Sequence, residues 1–208
     1  NYISFAILAS FKVRKIKGSF DAIFVYQTSP VTVGIPAIFA KKLFKTPIYF
    51  WVQDLWPESL AAAGGVKNKL VLGFFNSLTK WIYNHSKKIL IQSDGFREYI
   101  LNQRIANDKI IFYPNPTEDF YKPLQEVKEY QEFFQNEFFN IVFAGNIGEA
   151  QSFKTIINAI NNIKELPVKV IVLGDGRYKE TAFSLIKEKG LESHFNFLGS
   201  FPPTEMPK

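Results

Sequence analysis

The sequence predicts an α/β protein built from two Rossmann-like, doubly wound parallel-sheet domains, and three observations carry that prediction. Short, uninterrupted apolar runs such as Ala22–Tyr26 and Ile48–Val52 have the character of strands buried on both faces. Between them lie stretches whose apolar residues recur at three- and four-residue steps, the period of a helix packed on one side. This alternation breaks once, over a proline- and charge-rich stretch from Pro114 to Glu137, and then restarts, as expected of a chain that leaves one sheet and begins another. The break divides the chain into residues 1–118, a crossing segment 119–138 and residues 139–208.

Taken in order, Asn1–Lys17 reads as a helix with apolar residues at Ile3, Ile7, Leu8 and Phe11 and a basic last turn that suits the helix dipole. Gly18 ends it, and Ala22–Tyr26 is the first strand. The loop Gln27-Thr28-Ser29-Pro30 leads to a helix over about 32–44, and Pro47 opens the strand Ile48–Val52. Leu70, Val71, Phe74, Phe75, Leu78, Trp81 and Ile82 then mark the clearest amphipathic helix in the chain. Lys88–Gln92 is a strand, Ser93 or Asp94 caps a helix running to about Asn102, and Lys109–Tyr113 is strand again. After the break come strand Asn140–Ala144, helix Phe153–Lys164, strand Val168–Leu173, helix Tyr178–Lys189 and strand Phe195–Leu198. Phe153, Ile156, Ile157, Ile160 and Ile163 give the first of these helices an apolar face. The first domain opens on a helix instead of a strand, and a three-strand sheet ending at Lys208 leaves an unfinished edge, so both domains are expected to be incomplete.

Composition narrows the function classes. At 208 residues with 47% hydrophobic residues the chain can bury a proper core. There are no cysteines, which excludes disulfides and thiolate metal sites, and His85 and His194 stand too far apart in sequence for a histidine cluster. His85 reads as a helix cap and His194 as a surface or packing residue. The formal charge of +6 calls for an anionic partner, or is a solvated basic face. No arginine-rich or RNP-type signature is present, so nucleic acid is not an expected partner.

In an open parallel sheet, ligands sit beyond the carboxyl ends of the strands, so the loops that follow the strands are the informative ones. Gly145-Asn146-Ile147-Gly148 precedes a helix, and such a loop serves either a phosphate or a tight turn. Gly174-Asp175-Gly176-Arg177 begins like a dinucleotide fingerprint, but Lys179 holds its third glycine position, and a turn explains it equally well. In Gln53-Asp54-Leu55-Trp56-Pro57-Glu58, Asp54 is either a hydrogen-bond acceptor or base facing the cleft, or part of a well-made helix start with Trp56 as packing. Thr28-Ser29-Pro30 and Tyr113-Pro114-Asn115 are similarly placed.

Together these loops resemble glycosyltransferase family 4. The resemblance is carried by Trp51-Val-Gln-Asp-Leu-Trp-Pro-Glu-Ser-Leu60, Gly65–Lys69, Lys88–Ser93, Pro114-Asn115 with Asp119–Pro123, Ala144–Gln151, Gly174–Gly176 and Leu198–Phe201. The bacterial branch that builds O-antigen and capsule sugars, including acetamido-fucose transferases, is the most similar. The resemblance implies the GT-B fold and a retaining transfer from a nucleotide-diphosphate sugar, without cofactor or bound metal, to a lipid-linked glycan. It implies catalytic roles for Asp54 and Glu58. Donor binding falls to Gly145, Asn146, Gly148, Gln151, Gly174, Gly176, Ser200 and Phe201, and the acceptor side to Thr28, Ser29, Pro30, Trp56 and Asn115.

It also implies a bacterial cytoplasmic protein, with residues 1–17 either resting on the inner membrane face or packed in the core. Asn146 and Gln151 stand where many members carry an arginine and a lysine, and Gln53 where many carry a histidine. The paired glutamates that hold the donor are expected beyond Lys208, so these residues alone are expected to bind donor poorly and transfer nothing. A GT-B epimerase and a non-catalytic binding protein are the alternatives.

Overall fold

The computed structural model describes residues 2–64, 66–124, 130–134 and 136–207. The chain forms two compact units, Asn1–Pro116 and Thr117–Lys208. Asn1 of the expected first helix, Gly65 of the resemblance motifs, residues 125–129 and 135 of the expected crossing segment, and Lys208 lie outside the described residues.

The first unit holds a parallel sheet in the order β1 (Ile23–Gln27), β2 (Ile48–Val52), β3 (Lys88–Ile91), β4 (Ile110–Phe112). Its helices are α1 (Tyr2–Val13), α2 (Gly34–Phe44), α3 (Glu58–Gly64), α4 (Lys69–His85) and α5 (Gly95–Asn102). The ladder places Val25, Phe50, Ile89 and Ile110 side by side across all the strands, and this buried row is the spine of the core. Burial on both faces, expected of every strand, holds for the central β2 and β3. β1 alternates instead: Val25 and Gln27 face the core, while Phe24 and Tyr26 stand outside it, against the Trp51 ring at 5.7 and 5.1 Å.

Two helices pack differently from their sequence pattern. In α1 the apolar Ile3, Ile7, Leu8 and Phe11 are all exposed, and the buried residues are Ala6 and Ser10. Small side chains let α1 lie close on α2, and the Ser10 hydroxyl is satisfied within the helix by donating to the Ala6 carbonyl at 2.7 Å. In α4 the stripe is rotated. Ile82 and Tyr83 are fully buried with Thr79, while Phe75 and Leu78 pack at the core's edge. Leu70 is 84% exposed, and Phe74 and Trp81 also face outward.

Thr79 is accommodated because its hydroxyl donates to the Phe75 carbonyl at 2.8 Å, whereas the buried Tyr83 hydroxyl has no partner among the described residues. Asn68 caps the start of α4, accepting from the Leu70 and Val71 amides. At its other end Lys41 and Lys109 donate to the His85, Tyr83 and Asn84 carbonyls, meeting the negative end of the dipole. His85 folds back on the same turn, its Nδ1 lying 2.8 Å from the Trp81 carbonyl oxygen.

The second unit holds a parallel sheet in the order β5 (Phe139–Ala144), β6 (Val168–Leu173), β7 (Phe195–Gly199), with α6 (Phe153–Asn162) and α7 (Lys179–Glu188). Phe153, Ile157 and Ile160 of α6 meet Val170 and Val172 of β6 and Ala182 and Ile186 of α7 in the core. Ile163 falls past the end of α6, where the backbone leaves helical geometry, and is half out of the core.

Gly34 shows how tightly the first unit is packed: an added Cβ there would lie 2.6 Å from the Ile82 Cγ2 and 3.0 Å from the Phe50 ring. Gly34→Ala is therefore expected to cost about 1–3 kcal/mol through overpacking. Gly73→Ala, in the same unit on an open helix face, is expected to stabilise by about 0.5–1 kcal/mol. Urea denaturation of the two variants measures both; a neutral Gly34→Ala would contradict this packing.

Candidate functional site

The strands of each sheet point one way, so each unit gathers its post-strand loops along a single edge. In the first unit these loops are Gln27-Thr28-Ser29-Pro30 after β1, Gln53–Pro57 after β2, Gln92-Ser93-Asp94 after β3 and Tyr113-Pro114-Asn115 after β4. Side-chain amides knit them together. Asn115 Nδ2 donates to Gln53 Oε1 at 2.8 Å and to Gln92 Oε1 at 2.6 Å, and Gln92 Nε2 donates to the Gln53 carbonyl at 2.7 Å. The Gln53 main-chain amide in turn donates to the Gln27 carbonyl at 3.1 Å, tying in the β1 loop.

Asp54 lies next to this network, half-buried and without an ion pair among the described residues. Burial raises its pKa above the ordinary 3.8, which marks a carboxylate held against its own solvation. Glu58 is exposed at the start of α3, suiting the positive end of that helix. It sits beside the Tyr99 hydroxyl, which donates to the Trp56 carbonyl at 3.2 Å. Burial, followed by Glu58, pushes the Tyr99 pKa up. Trp56 is buried against Phe75 at 5.2 Å, so its ring is part of the core and not an open platform. Its indole N–H has no partner among the described residues. Thr28 and Ser29 are exposed, and Pro30 is buried where the chain enters the turn before α2.

In the second unit the glycine loops rest on one another. An added Cβ at Gly174 would lie 1.9 Å from the Gly145 carbonyl oxygen, and one at Gly176 would lie 2.3 Å from that of Ile147. Hydrogen bonds run across the contact, from the Ile147 amide to the Asp175 carbonyl at 2.8 Å and from the Tyr178 amide to the Ile147 carbonyl at 3.0 Å. Gly174 and Gly176 are thus glycines because backbone meets backbone. Gly145 differs: its φ is 149°, and a Cβ there would meet open space. Nearest over Gly148 lie the Asn146 and Gln151 side chains, joined by a 3.1 Å hydrogen bond.

Two adjoining cavities open on these loops. One, of about 580 Å³, is lined by Asn146, Gly148, Gln151, Arg177 and Tyr178 among others. The other, of about 410 Å³, takes in Gly145, Asn146, Gly174, Ser200, Phe201 and Tyr121. All the donor-side residues inferred from the sequence except Gly176 therefore line one cavity or the other, with Asn146 common to both. Gly176 supports the loop from behind. Sequence reasoning placed Tyr121 within the Asp119–Pro123 motif but gave it no site role, since that stretch is irregular and carries no periodic signal. It also passed over Arg177, an exposed cation with no ion pair among the described residues that stands in the cavity beside Asn146 and Gln151.

Comparison with known proteins agrees with this geometry. Residues 124–208 match the family model described as Glycosyl transferases group 1. An uncharacterised glycosyltransferase of Methanocaldococcus jannaschii, MJ1059, is 24% identical over 205 residues, covering 91% of this chain and 48% of that protein. Among solved structures, Anabaena Alr3699/HepE in complex with UDP superposes with a TM-score of 0.69 at 14% identity, over 96% of this chain and 52% of that one. Sucrose-phosphate synthase from Thermosynechococcus elongatus gives 0.73 at 13% identity, over 99% and 52%. The apo form of the lipopolysaccharide outer core galactosyltransferase WaaB gives 0.59 at 15%, over 96% and 49%. The two parallel-sheet units have the GT-B fold, and the chain spans about half the length of these relatives.

The state of Asp54 can be tested by linkage. A carboxyl whose folded pKa is raised favours the fold while protonated, and that contribution is lost as pH rises through the raised value. Asp54→Asn, neutral at every pH, is expected to melt higher than the parent chain at neutral pH and to match it in acid. Thermal melts over a pH series check this; a difference that does not change with pH would contradict the desolvated carboxyl.

Proposed function

We propose that this chain is part of a group 1 glycosyltransferase of GT-B fold that moves a sugar from a nucleotide-diphosphate donor to a glycan acceptor. The observation that carries the proposal is the pair of cavities on the glycine loops of the second unit, within the segment that matches the family model. Donor class is supported by the Anabaena HepE structures, which are complexes with UDP, with UDP and glucose, and with UDP-glucose. We take transfer to be retaining and independent of a bound metal.

On this reading the loop backbone at Gly145 and Gly148 lies close to the diphosphate, with Asn146 and Gln151 offering neutral hydrogen bonds and Arg177 the positive charge. Ser200 and Phe201 border the nucleoside end. Asp54, with its raised pKa, accepts a hydrogen bond from a hydroxyl of the acceptor; in the transfer itself the sugar–phosphate bond breaks and the departing phosphate takes the proton of the attacking hydroxyl as the new glycosidic bond forms. Glu58 holds the acceptor-side loop through the start of α3, beside the Tyr99 hydroxyl. The protein's contribution is then mainly positioning and charge placement.

The test for the donor is titration of the ¹⁵N-labelled chain with nucleoside diphosphates and their sugar conjugates. Binding to these residues alone is expected to be weak, with shifts confined to the Gly145, Gly148, Arg177 and Ser200 amides at high ligand concentration, and weaker still for Arg177→Ala. Nucleotides that leave these amides unmoved would overturn the proposal. Release of nucleoside diphosphate in step with acceptor glycosylation by the parent protein separates transfer from epimerisation.

We further propose that the acceptor is lipid-linked, in bacterial surface polysaccharide assembly of the O-antigen or capsule type, and that α1 touches the inner membrane face. No helix among the described residues is long and apolar enough to cross a membrane. What supports a surface contact is the outward apolar set Ile3, Ile7, Leu8 and Phe11, followed directly by Lys12, Arg14, Lys15 and Lys17. Flotation with anionic liposomes is expected to carry the chain upward, and Leu8→Glu with Phe11→Glu to abolish this; a chain that stays in the dense fraction would remove the membrane contact.

A further inference from the structure

The loop after β2 is fastened near both of its ends by one stretch of chain, the end of β3 and the helix α5 that follows it. We infer that Tyr99 of α5 is a positioning residue: its hydroxyl, bonded to the Trp56 carbonyl, fixes the span from Gln53 to Trp56 and so keeps Asp54 at the ligand edge of the first sheet. This deepens the proposed function, on which it rests for the contact between Asp54 and an acceptor. The fastening of the loop by Tyr99 stands on the geometry alone.

The carbonyls of this short span are tied one by one. At its start Gln92 Nε2, just past β3, donates to the Gln53 carbonyl at 2.7 Å. At its end the Tyr99 hydroxyl donates to the Trp56 carbonyl at 3.2 Å. Between them the Ser59 amide and hydroxyl both donate to the Leu55 carbonyl, at 2.8 and 2.7 Å. Asp54 stands inside the span, its side chain half-buried and without an ion pair among the described residues. A half-buried carboxyl with no ion pair turns toward water when its backbone is free to move, so what holds it there is the tethering on either side.

Tyr99 suits this task because packing sets its ring before the hydroxyl is used. Its neighbour Ile100 is fully buried in the core of the first unit, and the Tyr99 ring packs half-buried against the same cluster. A side chain whose rotamer is fixed by packing can hold another residue in place. The phenol donates only while protonated. Burial, followed by the neighbouring Glu58, pushes its pKa up, so the donor persists through neutral pH. The Trp56 ring is seated separately, against Phe75 of α4 at 5.2 Å. Side chain and main chain of Trp56 are therefore held by two different helices. Losing the Tyr99 bond shifts the ratio of a held loop to a loose one by about threefold to tenfold.

The experiment follows the Asp54 carboxyl carbon of the ¹³C-labelled chain over a pH series. Tyr99→Phe removes one oxygen and keeps the ring. In this variant Asp54 is expected to gain water, so that its titration midpoint falls toward that of an ordinary carboxyl. The control is Ser10→Ala, which removes another hydroxyl-to-carbonyl hydrogen bond, the 2.7 Å bond from Ser10 to Ala6 in α1. It is expected to leave the Asp54 midpoint where it was, with thermal melts reporting that both variants fold. A midpoint unchanged in Tyr99→Phe, or moved as far by Ser10→Ala, would overturn the inference. In the parent protein, Tyr99→Phe is expected to raise KM for the acceptor about threefold to tenfold and to leave KM for the donor as it was. An unaltered acceptor KM beside a lowered Asp54 midpoint would instead overturn the contact between Asp54 and the acceptor, and leave the positioning role of Tyr99 standing.

Discussion

Within each sheet every described strand runs parallel to its neighbours, and the placement of the candidate sites follows from that constraint. A parallel strand cannot be joined to the next by a tight hairpin, so each connection must cross the sheet and return. All the connections that could carry chemistry consequently leave from one edge. In the first unit that edge collects Gln27, Gln53, Asp54, Gln92 and Asn115 from strand ends separated by up to 88 positions in the sequence, from 27 to 115. In the second it collects two glycine loops and Ser200. The row Val25–Phe50–Ile89–Ile110 matters because it holds the first of these edges in register.

The two edges are chemically unlike. In the second unit, main chain is packed on main chain, and Gly174 and Gly176 are needed so that the β6 loop can lie on the carbonyls of Gly145 and Ile147. Gly145 and Gly148 line the two adjoining cavities, and Arg177 lines the one that Gly148 borders. The first unit makes its edge from carboxamide side chains, with a single desolvated carboxyl, Asp54, among them. One edge thus presents backbone, and the other presents carboxamide side chains.

Helix α1 and the first half of α4 illustrate a different balance. Both carry large apolar residues outward, and what α1 buries is the small Ala6 and the hydroxyl-bearing Ser10. Close approach of backbones and internal satisfaction of hydroxyls outweighed the burial of the larger side chains. The apolar surface left outside is the physical basis for the proposed membrane contact of α1.

Much of the architecture was legible in the order of residues, because strand and helix periods are local properties. β2 falls where its apolar run lies, α6 packs through the Phe153, Ile157 and Ile160 positions that its period marks, and the two parallel-sheet units follow from alternation with one break. The glycine loops were legible too, as strand-end glycines ahead of helices. Which glycine serves the ligand and which serves its neighbour was not, since that depends on a loop about 30 residues away, between Gly145 and Gly174. The buried side of α1 and α4, the core position of Trp56, the arrival of Arg177 beside Asn146, and the union of Gln53, Gln92 and Asn115 were likewise settled by tertiary contacts. Periodicity says that a helix has an apolar side; only the partner surface decides how far that side turns inward, and only the sheet brings distant amides within a hydrogen bond of each other.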